Sequence, residues 1–317
     1  MFFFKDRFKN IENPEATIGL DISSRMIKWV NLGRDYELKR YAIQAIPMSK
    51  GKVATKNASY IANNLKNTLF GQDSIRNCII NIPDVLVCSK WVQVDCTNDR
   101  HILKIIELLV EQSFPYPLSK LYYDYQFYQS LNQEKSKVLI VACRREDLDF
   151  RLDIVQQANL IPRVVEVSSY ALERAYSFFF PDSFENTLLI DIGINQLTFL
   201  FLNSSQTLVY CENLLTKCDQ ESILLQIKRC IKRYVLTYPF RFLKQLFIIS
   251  FNSSVLNFLL HRLDGFLQLK IKTLKNQNCL KYSTEINSNK IKQKFLNLFL
   301  SYGLALRINL YNNKKIN

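Results

Sequence analysis

TIGLDISSRMIKWVNL (Thr17–Leu32) and TLLIDIGINQLTFLFL (Thr187–Leu202) are the two stretches that decide the fold. Each reads as an apolar strand closed by Asp-Ile, a short turn of small or polar residues, and a second apolar strand. Laid over one another they align Asp21 with Asp191 and Ile22 with Ile192 without a gap, 170 residues apart. A hairpin turn can aim backbone amides at a phosphate chain, and an Asp at the strand end can hold a metal ion or its water. Either Asp could instead pin its turn, but the paired placement favours a ligand. Two such devices face to face would clamp a nucleotide between duplicated halves.

The length of 317 residues suits two domains better than one core. Apolar runs stay below about 10 residues, against the roughly 20 that a spanning helix needs. The start MFFFKDRFKN lacks the apolar core of a signal peptide, which predicts a cytoplasmic chain. Its aromatics and cations could touch an acidic membrane, although a frayed end is the simpler reading. The eight cysteines form no C-x-x-C pair, so small packing residues are expected and a structural metal is not. Net charge +14 invites nucleic acid or acidic membrane as a partner. The basic residues spread along the whole chain, however, and no nucleic-acid partner is expected. Their densest helical cluster, KRCIKRYVLTY (Lys228–Tyr238), borders an apolar stripe of Ile223, Leu224, Ile227, Ile231 and Val235 and reads as a solvated helix face. His101 and His261 fall in helical patterns without ligand partners nearby.

Strand patterns cover 18–22, 26–32, 37–44, 78–82, 121–128 and 138–143, and helical patterns cover 56–70, 99–113 and 145–159. A short buried strand follows Pro162, and a helix starts at Ser168. Pro181 and its polar neighbours in FFFPDSFENT (Phe178–Thr187) separate the two halves. The second half reads as three strands through Tyr210, helix 221–238, strand 246–250, helix 254–263, strand 266–270 and a final helix from Lys290. The polar segment KNQNCLKYSTEINSNK (Lys275–Lys290) reads as a loop, and Ser253-Ser254 as the cap of the helix they open. The fold class is α/β, helices on sheets.

The chain resembles the PilM family of type IV pilus assembly. IGLDISSRMIKWVNL is similar to that family's opening hairpin, FPYPLSKLYYDYQ (Phe114–Gln126) to its Pro-Tyr-Pro segment, and VLIVACRREDLDFRLDIVQQANLIPRVVEVSSYALERAY (Val138–Tyr176) to its central region, with LLIDIG and YGLALR (Tyr302–Arg307) completing the order. The resemblance implies an actin-like ATPase fold with ribonuclease H-like duplicated domains and an inserted subdomain as in the division protein FtsA. The first domain would span 1–180 with the insertion at about 84–163, a shortened second domain 181–301, and residues 302–317 would return to the first. It also implies a cytoplasmic protein at the inner membrane that binds the N-terminal tail of PilN and meets other pilus components; self-association stays open. The groove for that tail would lie beside the insertion, near Tyr116, Tyr123 and Tyr125, which are equally readable as core aromatics. For ATP, Asp21, Ser23 and Ser24 would form one phosphate site with Lys28 on the hairpin, Asp191 and Gly193 the other, and Glu166 the acidic position before the connecting helix. Magnesium would meet Asp21 and Asp191 through water.

Two departures argue for a nucleotide site weakened or lost. The adenosine segment of such folds carries adjacent glycines, where this chain has Ser250-Phe251-Asn252-Ser253, and a side chain stands where backbone should approach a ligand. CENLLTKCDQES (Cys211–Ser222) is also short for the helices that roof the nucleotide. A small-molecule kinase on this superfold would need the missing glycine loop. A filament of the division type would want an amphipathic helix at the C-terminus, for which RINLYNNKKIN is short and polar.

Overall fold

The computed structural model describes residues 17–313 apart from 24, 34, 47–56, 70, 72–74, 76, 96–101, 129–134, 204–206, 215–218, 240, 265, 267–268, 273–280, 285 and 287. Ser24, His101, the N-terminal aromatic-basic stretch and much of the Lys275–Lys290 segment therefore lie outside the described residues.

The first half runs β1 (Thr17–Ile22), β2 (Met26–Leu32), β3 (Leu38–Ala45), α1 (Ala58–Thr68), β4 (Asn77–Ile82), β5 (Val87–Asp95), α2 (Ile102–Ser113), β6 (Leu121–Tyr128), β7 (Lys135–Arg144), α3 (Arg145–Gln157), β8 (Ile161–Val167) and α4 (Ser168–Phe179). The second runs β9 (Thr187–Ile192), β10 (Gln196–Leu202), β11 (Leu208–Asn213), α5 (Gln220–Thr237), β12 (Gln245–Ser250), α6 (Ser253–Leu263), β13 (Lys270–Lys272) and α7 (Ser288–Asn313). Two five-stranded sheets have the same plan, β3-β2-β1-β4-β8 and β11-β10-β9-β12-β13, each with an antiparallel meander followed by parallel strands. The first three strands of both sheets begin at the same offset of 170, as the paired hairpins predict. This is the duplicated, actin-like ATPase fold.

Burial explains the layering. Every residue of β1 and β4 is buried, as expected of central strands covered on both faces. One face of the first sheet packs under α1 and α3, through Ile18, Leu20, Ile61, Leu65, Leu148 and Ile154. The matching face of the second packs under α5 and α6, through Ile190, Phe199, Ile227, Ile231 and Leu259. The two remaining faces share one core built on α4 and α7, where Val30 and Leu32 of the first sheet join Leu189, Phe247, Phe299 and Tyr302. α7 is a single helix across residues 301 and 302. It lies so close to β1 and α4 that a Cβ at Gly19 would collide with the Ser301 carbonyl, and one at Gly303 with the Ala171 carbonyl. YGLALR is thus a packing motif.

The insertion is a separate three-stranded sheet, β5-β7-β6. It occupies Val87–Arg144 between β4 and α3, while α3 and β8 belong to the main layers, so the region expected at 84–163 extends too far at its C-terminal end. β5 is absent from the sequence reading. Its VCSKWVQVD places Ser, Lys and Gln among the apolar residues, because an edge strand of a small sheet is largely exposed. The strand expected over 266–270 is observed at Lys270–Lys272 instead. No described helix is long and apolar enough to cross a membrane.

Candidate functional site

The two hairpin turns have the same local bond at the same offset. The Ser23 amide donates to the Met26 carbonyl at 3.0 Å, and the Gly193 amide to the Gln196 carbonyl at 2.9 Å. In the first turn the Ser23 hydroxyl is engaged as well, donating to Met26 O at 3.1 Å and accepting from Met26 N at 3.2 Å. Both turns open into one interdomain cavity of about 780 Å³, lined by Asp21, Ser23, Lys28, Asp191 and Gly193 among others. That is the size range of small-ligand pockets.

Charge enters the cavity from the strand ends and from α3, whose Glu146, Asp147 and Arg151 line it. Lys28 faces Asp21 across the hairpin, and its ammonium lies 2.8 Å from the Asp21 carboxylate. Burial acts against the Lys28 charge, but Asp21 and, more weakly, Asp191 outweigh it and hold the ammonium above the usual lysine range. Burial pushes Asp191 up to about 6; Lys28 pulls it back, while Asp21 and Asp84 add to the rise. Asp84 follows β4 and is also pushed up to about 6 by burial, although its carboxylate accepts the Ser169 amide at 3.1 Å. It caps α4 from another element, since Val167 offers no side-chain cap.

Two polar residues that sequence reasoning missed, Asn81 and Arg151, complete the wall. Asn81 accepts the Ile22 amide at 3.1 Å and donates to the Ser168 hydroxyl at 3.1 Å, tying the first turn to β4 and α4. Arg151 on α3 donates to the Ile22 carbonyl at 2.8 Å, and burial lowers its guanidinium to about 10. Their partners lie 59 to 129 residues away in the chain, beyond the reach of a local pattern.

Glu166 lies elsewhere. It is fully buried, is not among the described residues lining the cavity, and is gripped by Arg174 and Arg307, with Arg174 also donating to the Gly303 carbonyl at 2.8 Å. Burial opposes its charge, yet the two guanidiniums hold the carboxyl below the usual range. The acidic position read as a nucleotide contact is a structural clamp joining β8, α4 and α7.

Whether magnesium nucleotide fits can be judged from these donors. Lys28 and the Gly193 turn suit a phosphate chain, while Asp21 and Asp191 would meet it only through a hydrated cation, and the Ser23 hydroxyl is taken by its own turn. Among the described residues no three His, Cys, Asp or Glu gather to hold a metal. Beside the second turn, where Ser250 pairs with Ile192, Phe251 lines the cavity between β12 and α6. The α6 cap is Asn252, which accepts from Ser254 N and Val255 N, so the expected Ser253-Ser254 cap is displaced by one residue.

The three candidate groove tyrosines are divided, Tyr116 lying in the bend before β6 and the other two on one face of that strand. Tyr116 is exposed, whereas Tyr123 and Tyr125 turn toward α2 and its small core, with the Tyr123 hydroxyl 3.4 Å from Glu107. The opposite face of the same sheet holds Tyr122, which stacks under Arg145 and donates to Asp149, and an exposed pair, Trp91 and Tyr128, with ring centroids 4.9 Å apart. Partial burial and the charge of Glu173 raise the Tyr128 phenol.

The sequence profile of a family described as type IV pilus assembly protein PilM matches residues 19–215. The chain belongs to the PilM family. A solved PilM-PilN type IV pilus biogenesis complex superposes at TM-score 0.77 and 18% identity, over 94% of this chain and 99% of that one. Similarity also extends to the cytoplasmic domain of EpsL, an inner-membrane component of the type II secretion system of Vibrio cholerae, at TM-score 0.49 and 10% identity over 90% and 93% of the two chains. A Clostridium difficile activator of 2-hydroxyisocaproyl-CoA dehydratase with bound ADPNP matches at TM-score 0.46 and 9% identity, over 94% and 96%. PilM membership accounts for the order of motifs from the first hairpin to the strand-Asp-Ile-Gly turn at Asp191.

Proposed function

We propose that the protein is a cytoplasmic adaptor of type IV pilus assembly, peripheral at the inner membrane, which takes up the N-terminal tail of PilN and links the membrane ring to the cytoplasmic machinery. The observation that carries this reading is the superposition of nearly the whole chain on the PilM of a PilM-PilN complex. The tail would bind along the exposed face of the inserted sheet. Trp91 and Tyr128 offer rigid apolar anchors there, and Glu173 a negative charge. Nucleotide binding is weakened or lost, and no catalytic step is assigned. Phe251 in the cavity wall and the engaged Ser23 hydroxyl support this.

A second reading, an ATP-responsive switch, is favoured by the cavity volume and by Asp21, Lys28 and Asp191 converging on it. Titrating the purified chain with a PilN tail peptide, with and without magnesium ATP, separates the two. The adaptor reading expects peptide binding of similar affinity in both conditions; a switch expects ATP binding and a peptide affinity that changes with it.

A further inference from the structure

α5 is amphipathic, and its outward face differs from an ordinary solvated helix. Ile223, Leu224, Ile227, Cys230, Ile231 and Tyr234 point into the second domain's core. Val235, expected in that stripe, is instead 41% exposed. On the outside, Leu225 and Leu236 alternate at helical spacing with Arg229 and Lys232, and Leu236 is 82% exposed. The helix ends at Thr237, a turn follows in which the Arg241 amide donates to the Tyr238 carbonyl, and Phe242 then stands 73% exposed beside Lys244. Scattered exposed apolar residues are ordinary; several gathered on one helix end and its following turn mark a contact surface.

Beyond Glu221, which lies one turn before Leu225 and pairs with Arg262, the charge around them has one sign. From Ser222 to Lys244 the chain carries six Lys and Arg and no Asp or Glu. Arg233 is engaged with Glu212, and Lys228 lies over the Phe266 ring. Arg229, Lys232 and Lys244 make no ion pair among the described residues. Aliphatic side chains flanked by cations suit an interface that is hydrocarbon inside and anionic at its surface. A nucleic acid would satisfy the cations but give Leu225, Val235 and Leu236 nothing to bury against.

We propose that the outer face of α5 with its following turn, bearing Leu225, Arg229, Lys232, Leu236, Phe242 and Lys244, docks the protein on an anionic lipid bilayer. The location is compatible with the other sites. Gln245, one residue past the turn, pairs with Thr187 at the start of β9, whereas Asp191 near the end of that strand faces the interdomain cavity. The C-terminal end of α5 and its turn are therefore at the opposite end of the second sheet from the cavity, more than about 10 Å away at roughly 3.3 Å per strand residue, while Leu225 lies nearer the helix start. It also belongs to the half of the molecule that does not carry the inserted sheet. The surface stands on its own geometry and does not depend on the PilN reading.

The test is flotation of the full chain with vesicles of phosphatidylcholine alone or mixed with phosphatidylglycerol, at low and high salt. Binding is expected only with phosphatidylglycerol and is expected to weaken with salt. Reversing Arg229 and Lys232 together to Glu should lower partitioning at least about 25-fold, at about fivefold per cation lost. Leu236→Ser with Phe242→Ser should also lower partitioning, and both substitution pairs should leave the thermal melt unchanged because the side chains are exposed. The proposal is overturned by no vesicle binding, by equal binding to neutral vesicles, or by variants that float like the wild type, which would move the membrane contact elsewhere on the chain. Capture of single-stranded RNA in place of vesicles would overturn it too.

Discussion

Glu166→Gln isolates what holds α7 onto the first domain. The carboxylate is fully buried and meets Arg174 from α4 and Arg307 from α7, whose side chains are themselves 18% and 9% exposed. Gln keeps the shape and removes the charge, leaving two guanidiniums confined together without an anion. Breaking a buried ion pair from one side costs about 3–5 kcal/mol, a fifth or more of a stability of roughly 5–15 kcal/mol. In urea, with a slope near 3 kcal/mol per molar, the midpoint should fall by about 1–1.7 M. Fluorescence reports the transition, because Trp29 is buried in β2 with its indole N–H on the Thr68 hydroxyl at 2.9 Å. Glu146→Gln, which removes an exposed partner of Arg144, should leave the midpoint unchanged. Arg307→Met should cost less than Glu166→Gln, since Glu166 keeps Arg174. Because the folded Glu166 pKa is depressed, its stabilisation is present above the unfolded value of about 4.3 and lost as pH falls through the folded one. A midpoint shift below about 0.3 M for Glu166→Gln would refute the clamp.

Four other outcomes follow from the same geometry. Gly303→Val should destabilise by about 2–4 kcal/mol in the same urea assay, because its side chain would push α7 off the Ala171 carbonyl. Asp84 and Asp191, both raised to about 6, bind protons more tightly folded than unfolded, so their contribution is most favourable below about pH 4 and declines as pH rises to 6. Asp191→Asn should then be more stable than wild type at pH 7.5 by about 1–3 kcal/mol and no more stable at pH 4, read by thermal melts at both values. Asn252→Ala removes the α6 cap and should lower stability by about 1 kcal/mol, with exchange of the Ser254 and Val255 amides accelerated. Trp91→Ala with Tyr128→Ala should weaken PilN peptide affinity at least about tenfold by calorimetry with the melt unchanged.

The duplication was legible because it is local. A fully buried strand, an Asp-Ile ending and a four-residue turn are written into sixteen consecutive residues, and the second copy needs no gap. The family resemblance put Lys28 on the first hairpin with Asp21; that the two stand opposite one another follows from the register of the fold. What the chain reading could not assign was anything decided by distant partners. Glu166 looks in one dimension like a ligand at a strand end, and only the placement of Arg307, 141 residues later, turns it into a clamp. Tyr123 and Tyr125 were offered to the partner groove because they are aromatic. Their side of the sheet was fixed by where α2 packs, and the opposite face gained Trp91 from a strand whose mixed polarity hid it. Val235 shows the same limit at a helix end, where one residue of rotation decides between core and solvent.

The most direct test of the adaptor account is calorimetric titration of the full chain with a peptide copied from the cytoplasmic N-terminus of the same organism's PilN. The account predicts micromolar or tighter peptide binding whose affinity is the same with and without magnesium ATP. No peptide binding in either condition would contradict it.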